Sequence, residues 1–197
     1  MNAPTVGGKI VTIYGENFGD KSEGLSIDIR GFPCPEVVLQ SPTRALCEVP
    51  PGLGTGHEFT LTTMDGTQVV KSTSAPAAKF SYDAPYVNIV MPGNGPTSGG
   101  TQITVSGKNF GGAINHPNPE VTIGGKNCLQ SIWEHDGKVK CVAPSGIGIG
   151  NVVVYLQGQQ SQAGYDTIYE CVHRCSKSQE EGIVTLCTGT TSLWSLE

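Results

Sequence analysis

Residues 10–14 read Ile-Val-Thr-Ile-Tyr and residues 103–106 read Ile-Thr-Val-Ser. β-Branched side chains with alternating polarity predict strands that bury one face. Each stretch follows a Pro-Thr-x-Gly-Gly opening, at 4–8 and again at 96–100, ninety-two positions later. Each ends on a glycine, Gly15 or Gly107, and then runs into Asn-Phe-Gly at 17–19 or 109–111. Asn and Gly tolerate positive φ, so the backbone can reverse there while Phe18 and Phe110 turn inward as core plugs.

The repeat continues with an offset of ninety-four, pairing Cys34 with Cys128, Cys47 with Cys141 and Pro50 with Pro144. Twelve residues separate the cysteines in both copies. One spacing used twice argues for a bridge within each copy, Cys34–Cys47 and Cys128–Cys141, joining neighbouring strands; the other reading is four buried thiols in a reducing compartment. Closing such a loop stabilises by roughly 3 kcal/mol in the chain-entropy picture. Glycine-rich segments at 50–56 and 144–150 lead into "HEFTLTTMDG" and "NVVVYLQGQ", both strands running into hairpin turns. Tyr82 and Tyr169 close the last strand of each copy, the second hairpin being seven residues shorter. Short strands, frequent turns and no credible helix predict an all-β chain of two tandem antiparallel sandwiches.

The order Pro-x-x-Gly-Gly, alternating strand, Gly-x-Asn-Phe-Gly, "IGGKNC", "KCVAP" and a closing tyrosine resembles the IPT/TIG family, the immunoglobulin-like domains named for plexins and transcription factors. The resemblance covers nearly all of residues 1–170, twice, and divides the chain into 1–84, 85–170 and a tail, 171–197. It implies an immunoglobulin-like fold and leaves the task open. In that family the domain builds extracellular receptors and adhesion proteins, forms dimerising or DNA-adjacent parts of transcription factors, and accompanies polysaccharide-active enzymes.

The two copies are uneven. Before the second stands "APYVNIVMPGNG" at 84–95, whose Tyr86, Val87, Ile89 and Val90 predict an opening strand. Before the first stand only Met1, Asn2 and Ala3, so the first domain is expected to lack that strand. An unfilled sheet edge exposes backbone N–H and C=O groups and core side chains, and attracts another strand. The tail carries a strand-competent run in which Ile183, Val184 and Leu186 sit among threonines, followed by Leu193 and Trp194 as candidate anchors in a partner. Three arrangements follow: head-to-tail fibre assembly by β-strand addition between copies, a chain cut from a longer tandem array, or a tail folded back on its own chain.

Composition narrows the function. A net charge of −5 without a Lys/Arg cluster speaks against nucleic-acid binding. No apolar run is long enough to span a bilayer, and the N-terminus lacks a secretion signal, which has either been removed or belongs to a longer parent. The total of seven cysteines leaves Cys171, Cys175 and Cys187 beyond the two repeated pairs, an odd number. Cys171 pairs with Cys175 or Cys187, and the third thiol is available to another chain. "CVHRC" at 171–175 also places Cys171, His173 and Cys175 on one face of a strand, but an extended spacing separates ligands too widely for zinc, so a disulfide with a solvated His173 is preferred. His57, His116 and His135 fall in no nucleophile or metal motif, and Asp20, Glu23 and Asp28 do not make a calcium loop. No catalysis and no cofactor are expected. Trp133 is expected half-buried on its sheet, with sugar stacking as a rival role. No Asn-x-Ser/Thr acceptor occurs, while 72–76 and 188–192 could carry O-linked sugars. These observations describe a non-enzymatic extracellular or cell-surface protein whose partners are other protein chains, further copies of itself among them. The alternatives are a piece of a receptor-like ectodomain and a carbohydrate-binding accessory module.

Overall fold

The alternating stretches do form strands, one in each of two β-sandwiches. The structure, a computed structural model, describes residues 2–21, 24–65, 68–75, 78–112 and 119–172. The first sandwich contains β1 (Asn2–Ala3), β2 (Ile10–Tyr14), β3 (Ser26–Ile29), β4 (Phe32–Pro33), β5 (Val37–Ser41), β6 (Arg44–Glu48), β7 (Phe59–Asp65), β8 (Gln68–Thr73) and β9 (Ser81–Tyr82). The second contains β10 (Tyr86–Met91), β11 (Asn94–Pro96), β12 (Gln102–Lys108), β13 (Glu120–Ile123), β14 (Lys126–Asn127), β15 (Gln130–His135), β16 (Lys138–Val142), β17 (Gly148–Leu156), β18 (Gln159–Gln160), β19 (Gln162–Asp166) and β20 (Ile168–Val172). Among the described residues there is no helix.

The second sandwich packs a five-stranded sheet, in the order β15-β16-β12-β10-β19, against a sheet built on β11-β20-β17-β13-β14. Its core is a continuous cluster that includes Val87, Val90, Ile103, Val105, Phe110, Val121, Val139, Val154 and Tyr169. The first sandwich repeats this plan with β2-β6-β5 facing β4-β3-β7-β8, while β1 pairs with β9. Its core gathers Val11, Phe18, Ile27, Ile29, Cys47, Val49, Phe80 and Tyr82.

The Asn-Phe-Gly corner behaves as its residues require. Asn17 and Asn109 take φ of 60° and 62°, and Gly19 and Gly111 follow at 89° and 107°. The reversal buries both phenylalanines. Each ring lies directly over the glycine that ends the preceding strand: a Cβ on Gly15 would sit 2.5 Å from the Phe18 ring, and one on Gly107 would sit 2.6 Å from Phe110 Cζ.

Disulfides join Cys34 to Cys47 and Cys128 to Cys141. They do not tie neighbouring strands of one sheet, as the spacing suggested. Cys34 follows β4 and its amide bonds to the carbonyl of Ile27 in β3, whereas Cys47 lies in β6 of the opposite sheet. Cys128 and Cys141 repeat this arrangement, so each bridge staples the two layers through the core.

Candidate protein-interaction surfaces

The two sandwiches differ at one edge. In the second, β12 lies between β16 and β10, and β10 in turn carries β19. In the first, β2 pairs with β6 on one side, and among the described residues no strand pairs with its other side. The short β1 corresponds to β11, and among the described residues no strand of the first sandwich stands where β10 stands in the second. Ala75 and Lys79, which correspond to Gln162 and Asp166 of β19 when Tyr82 is aligned with Tyr169, border the gap instead of forming a strand.

Core-facing side chains register the gap. Ile13 corresponds to Val105, yet Val105 is fully buried and Ile13 is half-buried. Leu61 stands opposite Ile27 as Val154 stands opposite Val121, and Phe59 faces Ile29 as Val152 faces Ile123. Val152 and Val154 are buried, whereas Phe59 and Leu61 are half-buried. All three half-covered residues line a groove of about 530 Å³ with Phe18, Tyr14 and the end of β8. The groove therefore combines a backbone edge that no described strand pairs and an apolar floor, the two features that a docking strand uses.

A second surface is already occupied. The sandwiches meet through the 50–56 loop, where Leu53 is only 8% exposed. The loop is held in place by the Gly52 amide, which donates to the Thr5 carbonyl at 2.9 Å, and by the His57 ring, whose Nε2 lies 2.8 Å from the Leu53 carbonyl oxygen. Leu53 meets Gly111, where a Cβ would lie 3.3 Å from Leu53 Cδ1, and Pro51 and the Thr5 carbonyl lie within 3.2 Å of where a Gly112 Cβ would stand. The carboxylate of Asp136 accepts from the buried Thr5 hydroxyl across the joint, from the Asn109 amide at 3.2 Å and from the Gly111 amide at 3.0 Å. Gln159 Nε2 donates to the Tyr82 carbonyl at 3.0 Å, and Asn109 Nδ2 to the Ala84 carbonyl in the linker at 3.2 Å. The joint is thus a small apolar contact ringed by hydrogen bonds. Sequence reasoning passed over it because a single leucine in a glycine-rich loop carries no periodic signal.

The remaining candidates are scattered. His57 is buried against Tyr82, with ring centroids 5.7 Å apart, while His135 is exposed at a hairpin. Trp133 is half-buried against the second core. Cys171 carries a free, half-buried thiol near the end of β20. Among the described residues no group of three or more His, Cys, Asp or Glu side chains is arranged to hold a metal, and no helix is long and apolar enough to cross a membrane. Glu23, His116, His173, Cys175, Cys187 and the tail residues Ile183, Val184, Leu186, Leu193 and Trp194 lie outside the described residues.

Two layer-stapled β-sandwiches with the Asn-Phe-Gly corner define a tandem immunoglobulin-like module. Residues 1–82 and 85–169 each match the IPT/TIG domain, and the chain belongs to that family. It is similar to Plexin-2 of Caenorhabditis briggsae, with 30% identity over 168 residues covering 82% of this chain and 9% of that protein. Plexin-2 of Caenorhabditis elegans is 29% identical over 166 residues, with the same shares. The chain thus spans about a tenth of the length of these relatives. Among solved structures it resembles the full extracellular region of plexin A4, at 21% identity and a TM-score of 0.44, over 87% of this chain and 17% of that one. The bridges and the plexin relatives together point to an extracellular or cell-surface location.

Proposed function

We propose that the chain is a piece of a receptor-like ectodomain that works by protein–protein contact rather than catalysis, and that the outer edge of β2 accepts an extended strand. The observation that carries this reading is the open edge itself, with Ile13, Phe59 and Leu61 half-covered beneath it. Strand β10 serves as the template: it runs antiparallel to β12 from Tyr86 opposite Lys108 to Met91 opposite Thr104, and inserts Val87 and Val90 into the core. The ligand of β2 is therefore an antiparallel segment that presents β-branched residues to the groove.

A synthetic peptide of residues 84–93 offered to the 197-residue chain tests this. The expected result is saturable binding that slows amide exchange in residues 10–14, with loss of binding when the peptide carries Asp in place of Val87 and Val90 or when the chain carries Ile13→Asp. Unchanged exchange in β2 at saturating peptide would refute the reading.

Fibre assembly is a second reading, favoured by the strand-competent residues Ile183, Val184 and Leu186, with Leu193 and Trp194 behind them. In it the part of the tail, 171–197, that lies beyond β20 of one copy fills β2 of the next, and an odd thiol among Cys171, Cys175 and Cys187 links the chains. Size-exclusion chromatography with and without residues 176–197 separates the two. A fibre falls to monomer on truncation, whereas an ectodomain piece elutes as a monomer in both forms.

A further inference from the structure

The edge of β2 and its filled counterpart in the second sandwich carry opposite charges. The repeat places Tyr14 where Ser106 stands and Glu16 where Lys108 stands. In the second sandwich Lys108 pairs in register with Tyr86 of β10 and holds its ammonium 5.2 Å from the centroid of that ring. A cation there suits an aromatic first residue on the inserted strand. Glu16 is exposed and lines the groove, and a carboxylate is repelled by the negative face of an aromatic ring. The next strand differs as well. Lys138 of β16 is engaged by Glu134 at 3.0 Å, whereas its counterpart Arg44 of β6 has Gln40 where Glu134 stands. The Arg44 guanidinium instead lies over the ring of Tyr14, a groove-lining residue, 5.9 Å from its centroid. Lys79 lines the same groove. Among the described residues none of Glu16, Arg44 and Lys79 is in an ion pair.

We propose that the strand accepted by β2 carries a basic residue opposite Glu16 and an acidic residue opposite Tyr14, where Arg44 and Lys79 supply positive charge. This rests on the strand-acceptor reading and deepens it by giving the chemistry of the ligand. With β10 as the template, the basic residue takes the place of Tyr86. The acidic one takes the place of Ile89, which pairs with Ser106, and β-branched residues stay at the places of Val87 and Val90. The pattern is basic, β-branched, any residue, acidic, β-branched. No five consecutive residues of this chain have it. Strand β10 is uncharged, and so is the tail from Gly182 to Leu196. The partner is therefore an extended segment of another protein, selected by charge placement, and not a second copy of this chain.

Two variants of the 84–93 peptide, offered to the 197-residue chain, test this. One carries Tyr86→Arg with Ile89→Glu, the other Tyr86→Glu with Ile89→Arg. Their composition and net charge are the same, so only the placement of charge differs. The first is expected to bind about tenfold tighter at low salt, the gap narrowing to about twofold at roughly 1 M salt. In a chain with Glu16→Lys, Arg44→Glu and Lys79→Glu, all at exposed positions, the order is expected to invert. Equal affinities for the parent chain, or an order that the triple variant leaves unchanged, would overturn the proposal. The unmodified peptide separates the two levels. If it slows exchange at residues 10–14 while the charged pair do not differ, the charge pattern fails and the strand-acceptor reading stands. If none of the three peptides slows exchange there, the reading itself fails.

Discussion

Replacing Thr5 and Asp136 singly and together measures what locks the two sandwiches. Asp136 accepts from three donors: the Thr5 hydroxyl across the joint, and the Asn109 and Gly111 amides of its own domain. Thr5→Val keeps the shape and removes one charge-assisted hydrogen bond. Such bonds contribute about 1.5–3 kcal/mol, and Asp136 is half-buried and recovers some water, so a loss of about 1 kcal/mol is expected. Asp136→Ala leaves the buried Thr5 hydroxyl and two amides without their acceptor, at a cost of about 3 kcal/mol. The double variant removes the shared bond once and should be destabilised by about 1 kcal/mol less than the sum. Urea unfolding followed by tryptophan fluorescence, with Trp194→Phe in every variant so that Trp133 alone reports on the second sandwich, supplies the four stabilities. Thr5 belongs to the first sandwich, so any coupling it shows at Trp133 is transmitted through the joint. If the four values add within about 0.3 kcal/mol, the carboxylate supports only its own turn and the account of the joint is wrong.

Replacing both cysteines of one bridge by alanine should cost about 3 kcal/mol in either domain, since both loops span 13 residues of sequence separation. Calorimetry should nevertheless show the first sandwich, with its uncovered β2 edge, melting earlier after loss of Cys34–Cys47 than the second does after loss of Cys128–Cys141. Gly95→Ala should destabilise the second sandwich by about 2 kcal/mol, because the new Cβ would overlap the Tyr169 hydroxyl and stand 2.5 Å from Thr101 Oγ1, and thermal melts check this. Burial pushes the Tyr82 hydroxyl up to about 12 from 10. Its contribution to stability is therefore complete below pH 10 and is lost as pH rises toward 12, and Tyr82→Phe should flatten that alkaline limb in pH-dependent urea melts. The same variant loses the bond to the Pro50 carbonyl at 2.8 Å, and hence about 1 kcal/mol at neutral pH.

The strands and the phenylalanine corner were legible because each rests on local chemistry. Alternation sets which face of a strand is buried, and Asn-Phe-Gly has few backbone conformations that place the ring inward. The bridge partners were legible from spacing, but their crossing between layers was not. It depends on β4 folding back onto β3, a two-residue strand with no periodic pattern of its own. The joint was illegible for a related reason: burial of Leu53 is decided by the neighbouring domain, and nothing within residues 50–56 encodes it. Comparison of the two copies could have raised the question, since Leu53 and Ile147 keep an aliphatic residue at one place in an otherwise glycine-rich loop.

The two closing tyrosines show how strand register redirects a core. Tyr82 and Tyr169 each close a copy in sequence, but the pairing sets them differently: Ala3 stands opposite Tyr82, whereas Gly95 stands opposite Cys171, two residues past Tyr169. The missing Cβ at Gly95 gives the Tyr169 hydroxyl its place. Set two residues differently against its partner strand, the Tyr82 ring lies instead over Gly52, where a Cβ would come within 2.5 Å of Cε2, and its hydroxyl reaches the Pro50 carbonyl. That bond ties the Tyr82 strand to the 50–56 loop just where the loop turns Leu53 toward the second sandwich. In the second domain Cys171 stands at that place, 3.1 Å from where a Gly146 Cβ would lie, and the 146–150 segment is held by its backbone. Tyr82→Phe should therefore loosen the loop more than it destabilises the domain, because the ring keeps its place and only the bond to the Pro50 carbonyl is lost. Faster exchange at 52–56, beyond what a global loss of about 1 kcal/mol produces, is the expected signature. A drop in the transition with no local change in exchange would mean that the hydroxyl supports the core and does not direct the loop.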